Sequence, residues 1–384
     1  MIKLYNSLTR SKEDFKTIHD GRVTVYVCGI TPNNATHLGH AFTYVSFDVL
    51  VRFLKHMDFT VDYLQNATDV NDSDDVLKQA EQNKRTWQEE AAYWIEHFHK
   101  QVDALNVLRP TTYVLASSVI EKITEINSGL LKKGFAYKAG KNLYFDITKF
   151  PRYGKLSRFT QEQMKFISLE RGNNLTDPHK KNPLDFVLWF GSKEVPNWES
   201  PIGAGRPGWH IECSAMINQY LGKQIDIHGG GRDLMYPHHD SEIAQSESFT
   251  SKKFVKTWMH TAIVLYEGEK MSKSLGNLVL VDDLLKKYSP DAIRWMILSH
   301  HYRAPWEYEE TELIDIEKKV KRIQKAVKGK HSLIKSKTNI KKFEELMSDD
   351  LRTPEALLLI DDLIEKEKTH EAREILMILG FKMS

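Results

Sequence analysis

The sequence predicts an α/β fold built on a doubly wound parallel sheet, with a small insertion and a C-terminal helical domain. Three observations predict it. Residues 23–29 read as a strand that passes through a turn-rich loop into a helix opening at His37-Leu38-Gly39-His40. Residues 42–57 continue that helix with apolar positions at 42, 45, 49, 50, 53 and 54, one face of a 3.6-residue period. Residues 59–64 then alternate as a strand, closing a right-handed βαβ unit of the Rossmann type.

The later elements extend this frame. Residues 74–105 and 119–133 read as helices, and 140–147 as a strand of a smaller module that runs to about residue 182. The polar, proline-broken stretch 173–181 suits an exposed connector. Sheet signals resume at 185–189 and at 224–228, the latter running into Gly229-Gly230-Gly231. Helices at 209–220 and 238–249 flank that strand, and 261–266 is a further strand. From residue 281 the pattern is helical, broken at Pro290 and Pro305, and there is no internal repeat. The expected organisation is a Rossmann-type catalytic domain (1–110 and 183–280), an inserted connective module (111–182) and a helical domain (281–384).

Bulk properties exclude several classes. A chain of 384 residues with 41% hydrophobic and 28% charged residues has a globular composition. No apolar run approaches the roughly 20 residues needed to span a bilayer, and the N-terminus lacks a signal-peptide pattern, so a cytoplasmic protein is expected, most simply a monomer. Two cysteines, Cys28 and Cys213, make no disulfide framework. A net charge of +2 gives no whole-protein argument for nucleic acid. Locally, residues 318–342 hold eleven Lys or Arg and no acid, which reads as a solvated helix face or as a phosphate-backbone contact surface.

The strand–loop–helix unit is a phosphate-binding arrangement, because unpaired N–H groups and the helix dipole favour an anion at the N-terminus. His37 and His40 can donate to phosphate oxygens there, and Gly39 lets a flat nucleoside approach the backbone. A second motif, Lys270-Met271-Ser272-Lys273-Ser274, offers two lysines and two serines on a glycine-flanked loop, suited to clamping a triphosphate. Each motif alone is weak. Their occurrence together, in this order, is specific.

HxGH with KMSKS resembles the class I aminoacyl-tRNA synthetases. Further strings narrow the resemblance: Cys28-Gly29-Ile30-Thr31, the run from Gly208 to Met216 (GWHIECSAM), Asp226-Ile227-His228-Gly229-Gly230-Gly231, and Pro237-His238-His239-Asp240-Ser241-Glu242. These are similar to the cysteinyl-tRNA synthetases and to their paralogue, the mycothiol-pathway ligase that joins cysteine to an amino sugar. The resemblance covers nearly the whole chain and implies a class I synthetase fold, ATP with Mg²⁺ as co-substrate, L-cysteine as substrate and one Zn²⁺. It implies catalytic roles for His37, His40, Lys270 and Lys273. It implies substrate or adenylate contacts by Gly29, Ile30, Thr31, Thr43, Asn66, Ala67, Thr68, Trp209, His228, Gly231, Arg232, Asp233, Ser272 and Ser274.

Cys28, Cys213, His238 and Glu242 do not have zinc-finger spacing. His238 and Glu242 are nevertheless i and i+4, so one helix face can direct both toward a metal. Two thiolates, an imidazole and a carboxylate compose a Zn²⁺ site. The resemblance implies that this zinc takes the substrate thiolate, which would reject serine, a harder and less acidic donor.

The acceptor separates the two branches of the resemblance. Cys28-Gly29-Ile30-Thr31-Pro32 with Asn33, the stretch Leu169-Glu170-Arg171-Gly172, and an end near Leu379-Gly380-Phe381, where an anticodon-reading domain would begin, resemble the stand-alone ligase. The expected reaction is therefore transfer of cysteine from cysteinyl-AMP to a small amine, such as an amino sugar. Glu242, residues 185–189 and the basic run favour the alternative, a shortened cysteine–tRNA ligase. A third reading is an inactive regulatory paralogue, against which both intact phosphate motifs argue.

Overall fold

The computed structural model describes residues 1–71, 75–271, 275–328 and 338–383. The chain opens with an antiparallel hairpin of β1 (Lys3–Asn6) and β2 (Ser11–Asp14). Next come β3 (Arg22–Ile30), α1 (Leu38–His56) and β4 (Thr60–Ala67), the βαβ unit expected from the period change. The long helical stretch that follows divides into α2 (Asp75–Gln82) and α3 (Trp87–Ala104). Thr86 starts α3 with a capping box, exchanging hydrogen bonds with Glu89. Then come β5 (Thr112–Leu115) and α4 (Ile120–Lys132).

A smaller unit follows, with the hairpin β6 (Ala136–Ala139) and β7 (Asn142–Phe145), α5 (Gln161–Glu170), β8 (Phe186–Gly191) and β9 (Gly205–Pro207). The chain then returns through α6 (Trp209–Tyr220), β10 (Ile225–Gly231), α7 (Asp240–Thr250) and β11 (Val255–Thr261). A three-stranded sheet of β12 (Val264–Tyr266), β13 (Glu269–Lys270) and the later β14 (Trp306–Glu307) leads into the helices. These are α8 (Val281–Lys287), α9 (Pro290–Leu298), α10 (Glu310–Val327), α11 (Thr338–Ser348), α12 (Thr353–Glu365) and α13 (Thr369–Ile378).

The central sheet has the order β11-β10-β3-β4-β5, with every pair parallel. From β3 the chain winds through α1 to β4 on one side, while β10 winds through α7 to β11 on the other. The winding reverses between β3 and β10, so their C-terminal ends border a crevice. Parity along β3 decides what enters it. Val23, Val25 and Val27 join the apolar cluster of α1 and the C-terminal helices, whereas Tyr26 and Cys28 face the cluster of α4, α6 and α7. A one-residue slip of this strand would turn Cys28 away from its partners.

Two expectations about boundaries change. The strand at 186–191 pairs with β7 and β9, so it belongs to the four-stranded sheet of the smaller unit and not to the catalytic sheet. Conversely, residues 112–115 pair with β4 and form the edge of the central sheet. The smaller sheet thus spans 136–207. Apolar alternation marked 185–189 as a strand, though not 112–115, and it carries no information about the neighbour a strand pairs with. Among the described residues, the region after residue 281 is helical as expected apart from connecting turns and the two-residue β14.

The C-terminal helices are tied to α1 by a buried pair. Arg294 on α9 is paired with Asp48 on α1 and donates to Leu105 O (2.9 Å) and Leu379 O (2.7 Å). Among the described residues, no helix is long and apolar enough to cross a membrane.

Candidate active site

The crevice is a cleft of about 410 Å³, bordered by β3, the start of α1, the end of β10, Trp209 and Lys270. At one end, His37 caps α1. Its Nδ1 accepts from the Gly39 N–H (3.1 Å), and its ring stacks on His40 with centroids 3.8 Å apart. A Cβ at Gly39 would lie 2.9 Å from His37 Cε1, so this glycine is what allows the ring to fold back over its own helix terminus. The arrangement places two imidazoles at the helix N-terminus, both lining the cleft.

Gly29 holds the wall of the cleft. Its N–H donates to Asn66 Oδ1 (2.8 Å), which also accepts from the Tyr26 hydroxyl (2.9 Å). These two bonds cross-link β3 and β4 where their ladder ends, and Asn66 Nδ2 donates to Thr68 Oγ1 (3.3 Å). A Cβ at Gly29 would overlap the Asn66 carbonyl oxygen, at 1.5 Å. Thr43 donates to Gly39 O (3.2 Å) and shares a hydrogen bond with Thr261 (2.8 Å).

Across the cleft, Asp233 gathers two cations. Its Oδ2 lies 3.0 Å from Lys270 Nζ and 2.9 Å from Arg171 Nη2. Burial opposes ionisation there, but Lys270 and Arg171 together hold the carboxyl well below the usual range. Arg171 ends α5 and also lines the cleft. The sequence marked it only as part of a stretch of the insert, since nothing in the spacing of residues 171, 233 and 270 announces that they meet.

At the base of the cleft, Cys28 Sγ, Cys213 Sγ, one His238 ring nitrogen and one Glu242 oxygen lie within 4.8 Å of one another, all four residues buried. His238 Nε2 is 3.3 Å from Cys213 Sγ and 3.2 Å from Glu242 Oε1, and Cys28 Sγ is 4.0 Å from that oxygen. Bonds of about 2.0–2.3 Å to Zn²⁺ give tetrahedral edges of about 3.3–3.8 Å. The donor set fits that ion in type and spacing. Burial pushes the Cys28 thiol well up, with Cys213 and Glu242 adding to it, and burial does the same to the Glu242 carboxyl. Burial pushes the His238 imidazole well down, so it is a neutral donor.

Around this set lies a second layer of imidazoles. His210 Nδ1 is 3.0 Å from His238 Nδ1, and His228 Nε2 is 2.9 Å from Glu242 Oε2. His239 Nε2 is 3.3 Å from Cys28 Sγ, and its Nδ1 is 2.8 Å from His260 Nε2; His260 Nδ1 in turn meets Ser7 Oγ at 2.8 Å. Burial lowers His210, His228 and His260 to about 3, so this layer is uncharged at neutral pH.

Most of the residues singled out in the sequence border the cleft: Cys28, Gly29, Ile30, Thr31, His37, His40, Thr43, Asn66, Thr68, Trp209, Cys213, Gly231, Arg232, Asp233, His238 and Lys270. Glu242 stands behind His238, and Trp209 stacks on the His238 ring with centroids 4.6 Å apart. Two differ from expectation. Ala67 is fully buried in the ladder at Ile30, and His228 is fully buried behind Glu242, so neither lines the cleft as an adenylate contact would. The HGGG string put His228 beside the glycines, but strand alternation turns it to the metal side. Ser272, Lys273 and Ser274 lie outside the described residues. His239, singled out only as part of its motif, is fully buried.

With this geometry, comparison with known proteins is informative. The family described as tRNA synthetases class I (C), catalytic domain, matches residues 14–319. The chain belongs to this family. Membership makes it an ATP-dependent ligase of the aminoacylating type. A cysteine–tRNA ligase of Haemophilus influenzae is 42% identical over 382 residues, covering 97% of this chain and 82% of its own. A cysteine–tRNA ligase of Klebsiella pneumoniae is 43% identical over 380 residues, covering 97% and 81%. Among solved structures, a Mycobacterium tuberculosis methionyl-tRNA synthetase in complex with methionyl-adenylate matches at a TM-score of 0.61 with 14% identity. It covers 94% of this chain and 82% of its own, a likeness of fold alone. These relatives favour the tRNA branch of the sequence reading over the small-amine branch.

Proposed function

We propose that this chain is a zinc- and ATP-dependent ligase that activates L-cysteine as cysteinyl-AMP and transfers it to tRNA. The observation that carries the reading is the Cys28–Cys213–His238–Glu242 donor set at the floor of a cleft whose rim holds the stacked histidines and Lys270. The names of the similar cysteine–tRNA ligases support the acceptor.

A zinc ion at this set would supply a soft Lewis-acid position that selects a thiolate over a hydroxyl. Trp209, stacked on His238, walls the pocket against which a small side chain packs. Thr31 and Asn66 stand at the cleft edge to orient the amino-acid backbone. The carboxylate of cysteine attacks the α-phosphorus of Mg²⁺-ATP, and pyrophosphate leaves. His37, His40 and the α1 N-terminus face the charge that develops on the phosphates, and Lys270 neutralises it from the other rim. Lys273 belongs to the same motif. The acceptor hydroxyl then attacks the carbonyl of cysteinyl-AMP, and AMP leaves.

Helix α10 supports a nucleic-acid acceptor in part. Lys318, Lys319 and Lys321 pair with Asp315, Asp361 and Glu317, which favours the solvated-face reading for them. Arg322, Lys325 and Lys328 are exposed and make no ion pair among the described residues, so they can meet phosphates.

The test offers two acceptors to zinc-replete protein with cysteine and ATP: total tRNA, and a panel of amino sugars and small amines. Mass spectrometry reads the products. Cysteine esterified to tRNA is expected. Cysteinyl amides with uncharged tRNA would overturn the acceptor, and no cysteine-dependent ATP–pyrophosphate exchange would overturn the enzymatic reading.

A further inference from the structure

The floor of the cleft holds a second donor set that overlaps the first. Cys28 Sγ, one nitrogen each of His228 and His239, and a Glu242 oxygen also lie within 4.8 Å of one another, all fully or nearly fully buried. The contacts are 3.3 Å from His239 Nε2 to Cys28 Sγ, 2.9 Å from His228 Nε2 to Glu242 Oε2 and 4.0 Å from His239 Nε2 to Glu242 Oε1. The Cys28–His239 contact matches the tetrahedral edge of about 3.3–3.8 Å expected around a zinc-sized divalent ion, and Glu242 turns one oxygen to each histidine.

The two sets share Cys28 and Glu242, so one ion occupies one or the other. They differ in access. Cys213 and His238, unique to the first, border the cleft, whereas His228 and His239 do not. They differ also in chemistry, two sulfurs against one. We propose that Cys28, His228, His239 and Glu242 form a second, closed metal position behind the cleft, into which a divalent transition ion retreats when the front ligands are lost.

Three features make this position more than a coincidence of buried side chains. His239 is anchored from behind, because its Nδ1 meets His260, which is held by Ser7. A histidine ligand needs its second nitrogen fixed in this way. The stack of Trp258 on His228, with centroids 4.3 Å apart, fixes that ring as well. Finally, His228 and His239 do not border the cleft, so an ion they hold is turned away from substrate. The front position favours the ion while both thiols are present, because thiolates are the stronger zinc donors. The back position keeps the ion inside the protein but is catalytically silent.

The inference rests on the reading of the front set as a zinc site, and the experiment separates the two. Cobalt(II) is loaded into the full-length wild-type chain and the Cys213→Ser/His238→Ala variant, which removes both residues unique to the front set. Wild type should show sulfur-to-cobalt absorption of two thiolates that changes when cysteine is added. Failure there would remove the function reading itself. The double variant should retain one equivalent of cobalt with roughly half the sulfur-to-cobalt intensity, unresponsive to cysteine. Adding His239→Ala should release the ion. A double variant that is folded by circular dichroism but metal-free, or one that holds cobalt equally well without His239, would overturn the second position. Should the double variant not fold, the single Cys213→Ser variant is read by the same spectrum. It must then keep its ion without a cysteine response, and loss of the ion or a persisting response would overturn the proposal.

Discussion

His238 Nε2 stands 3.2 Å from Glu242 Oε1, although the two residues do not share a regular helix. Glu242 lies in the first turn of α7, while His238 belongs to the wide turn at Met235–His239 that precedes it. Tyr236 in that turn has an extended backbone (φ −134°, ψ 136°), which interrupts the helical path. The i, i+4 spacing nevertheless brings the side chains together, because the interruption lies at Tyr236, before His238, and His239 and Asp240 already have helical angles. The same turn places His239 toward Cys28, so a single irregular segment supplies ligands to both sides of the thiol.

Loading of the metal should be strongly pH-dependent. Burial holds the Cys28 thiol and the Glu242 carboxyl above their usual ranges, which favours their protonated forms in the metal-free protein. Binding must expel those protons, and affinity therefore rises with pH and falls as acid is added. Each proton released corresponds to about a tenfold change per pH unit. Chelator competition at about pH 6.5 and about pH 7.5 measures it. A flat profile would show that these groups are not ligands.

Lys270→Ala should slow cysteine activation by about a hundredfold while the KM for cysteine changes by less than about twofold. The reason is position: Lys270 sits on the rim against Asp233, opposite the metal set. Cysteine-dependent ATP–pyrophosphate exchange gives both numbers. A rise in the cysteine KM at unchanged turnover would contradict the assignment.

Trp209→Ala should act at the other end. Loss of the ring that stacks on His238 should raise the KM for cysteine about tenfold, or about 1.4 kcal/mol, with the KM for ATP little changed. Trp209→Phe should recover most of that loss. An equal rise in both KM values would mean that the tryptophan shapes the whole cleft.

Gly39→Ala separates catalysis from stability. The added methyl would meet the His37 ring at 2.9 Å and displace it, whereas alanine in a helix is otherwise favourable. The exchange rate should fall about ten- to a hundredfold, because a misplacement of about 1 Å suffices for that loss. Thermal unfolding should stay within about 2 °C of wild type, since the change is of order 0.5 kcal/mol in a large domain. A large drop in the unfolding temperature would assign Gly39 to the fold.

Much of the site was legible because its parts are local. The strand into His37-Leu38-Gly39-His40 needs only a period change from 2 to 3.6, and α1 begins where that change occurs. The four-residue spacing of His238 and Glu242 likewise belongs to one segment. Cys28 to Cys213 is different, since 185 residues separate them and no period connects them. Only the family resemblance placed them together.

The sequence by itself determined the class of fold, much of the order of its elements and the motifs proposed for phosphate chemistry, because side-chain periodicity and motif spacing are short-range properties of a chain. The tertiary structure decided which strands are neighbours. It moved 186–191 out of the central sheet and 112–115 into it, turned His228 behind Glu242, buried His239 against Cys28, and joined Arg171 to Asp233 and Lys270. Each of these depends on hydrogen-bond pairing or packing between segments distant in the chain. The free energy of such contacts is set by the partner surface, and no single stretch of sequence contains both sides of it.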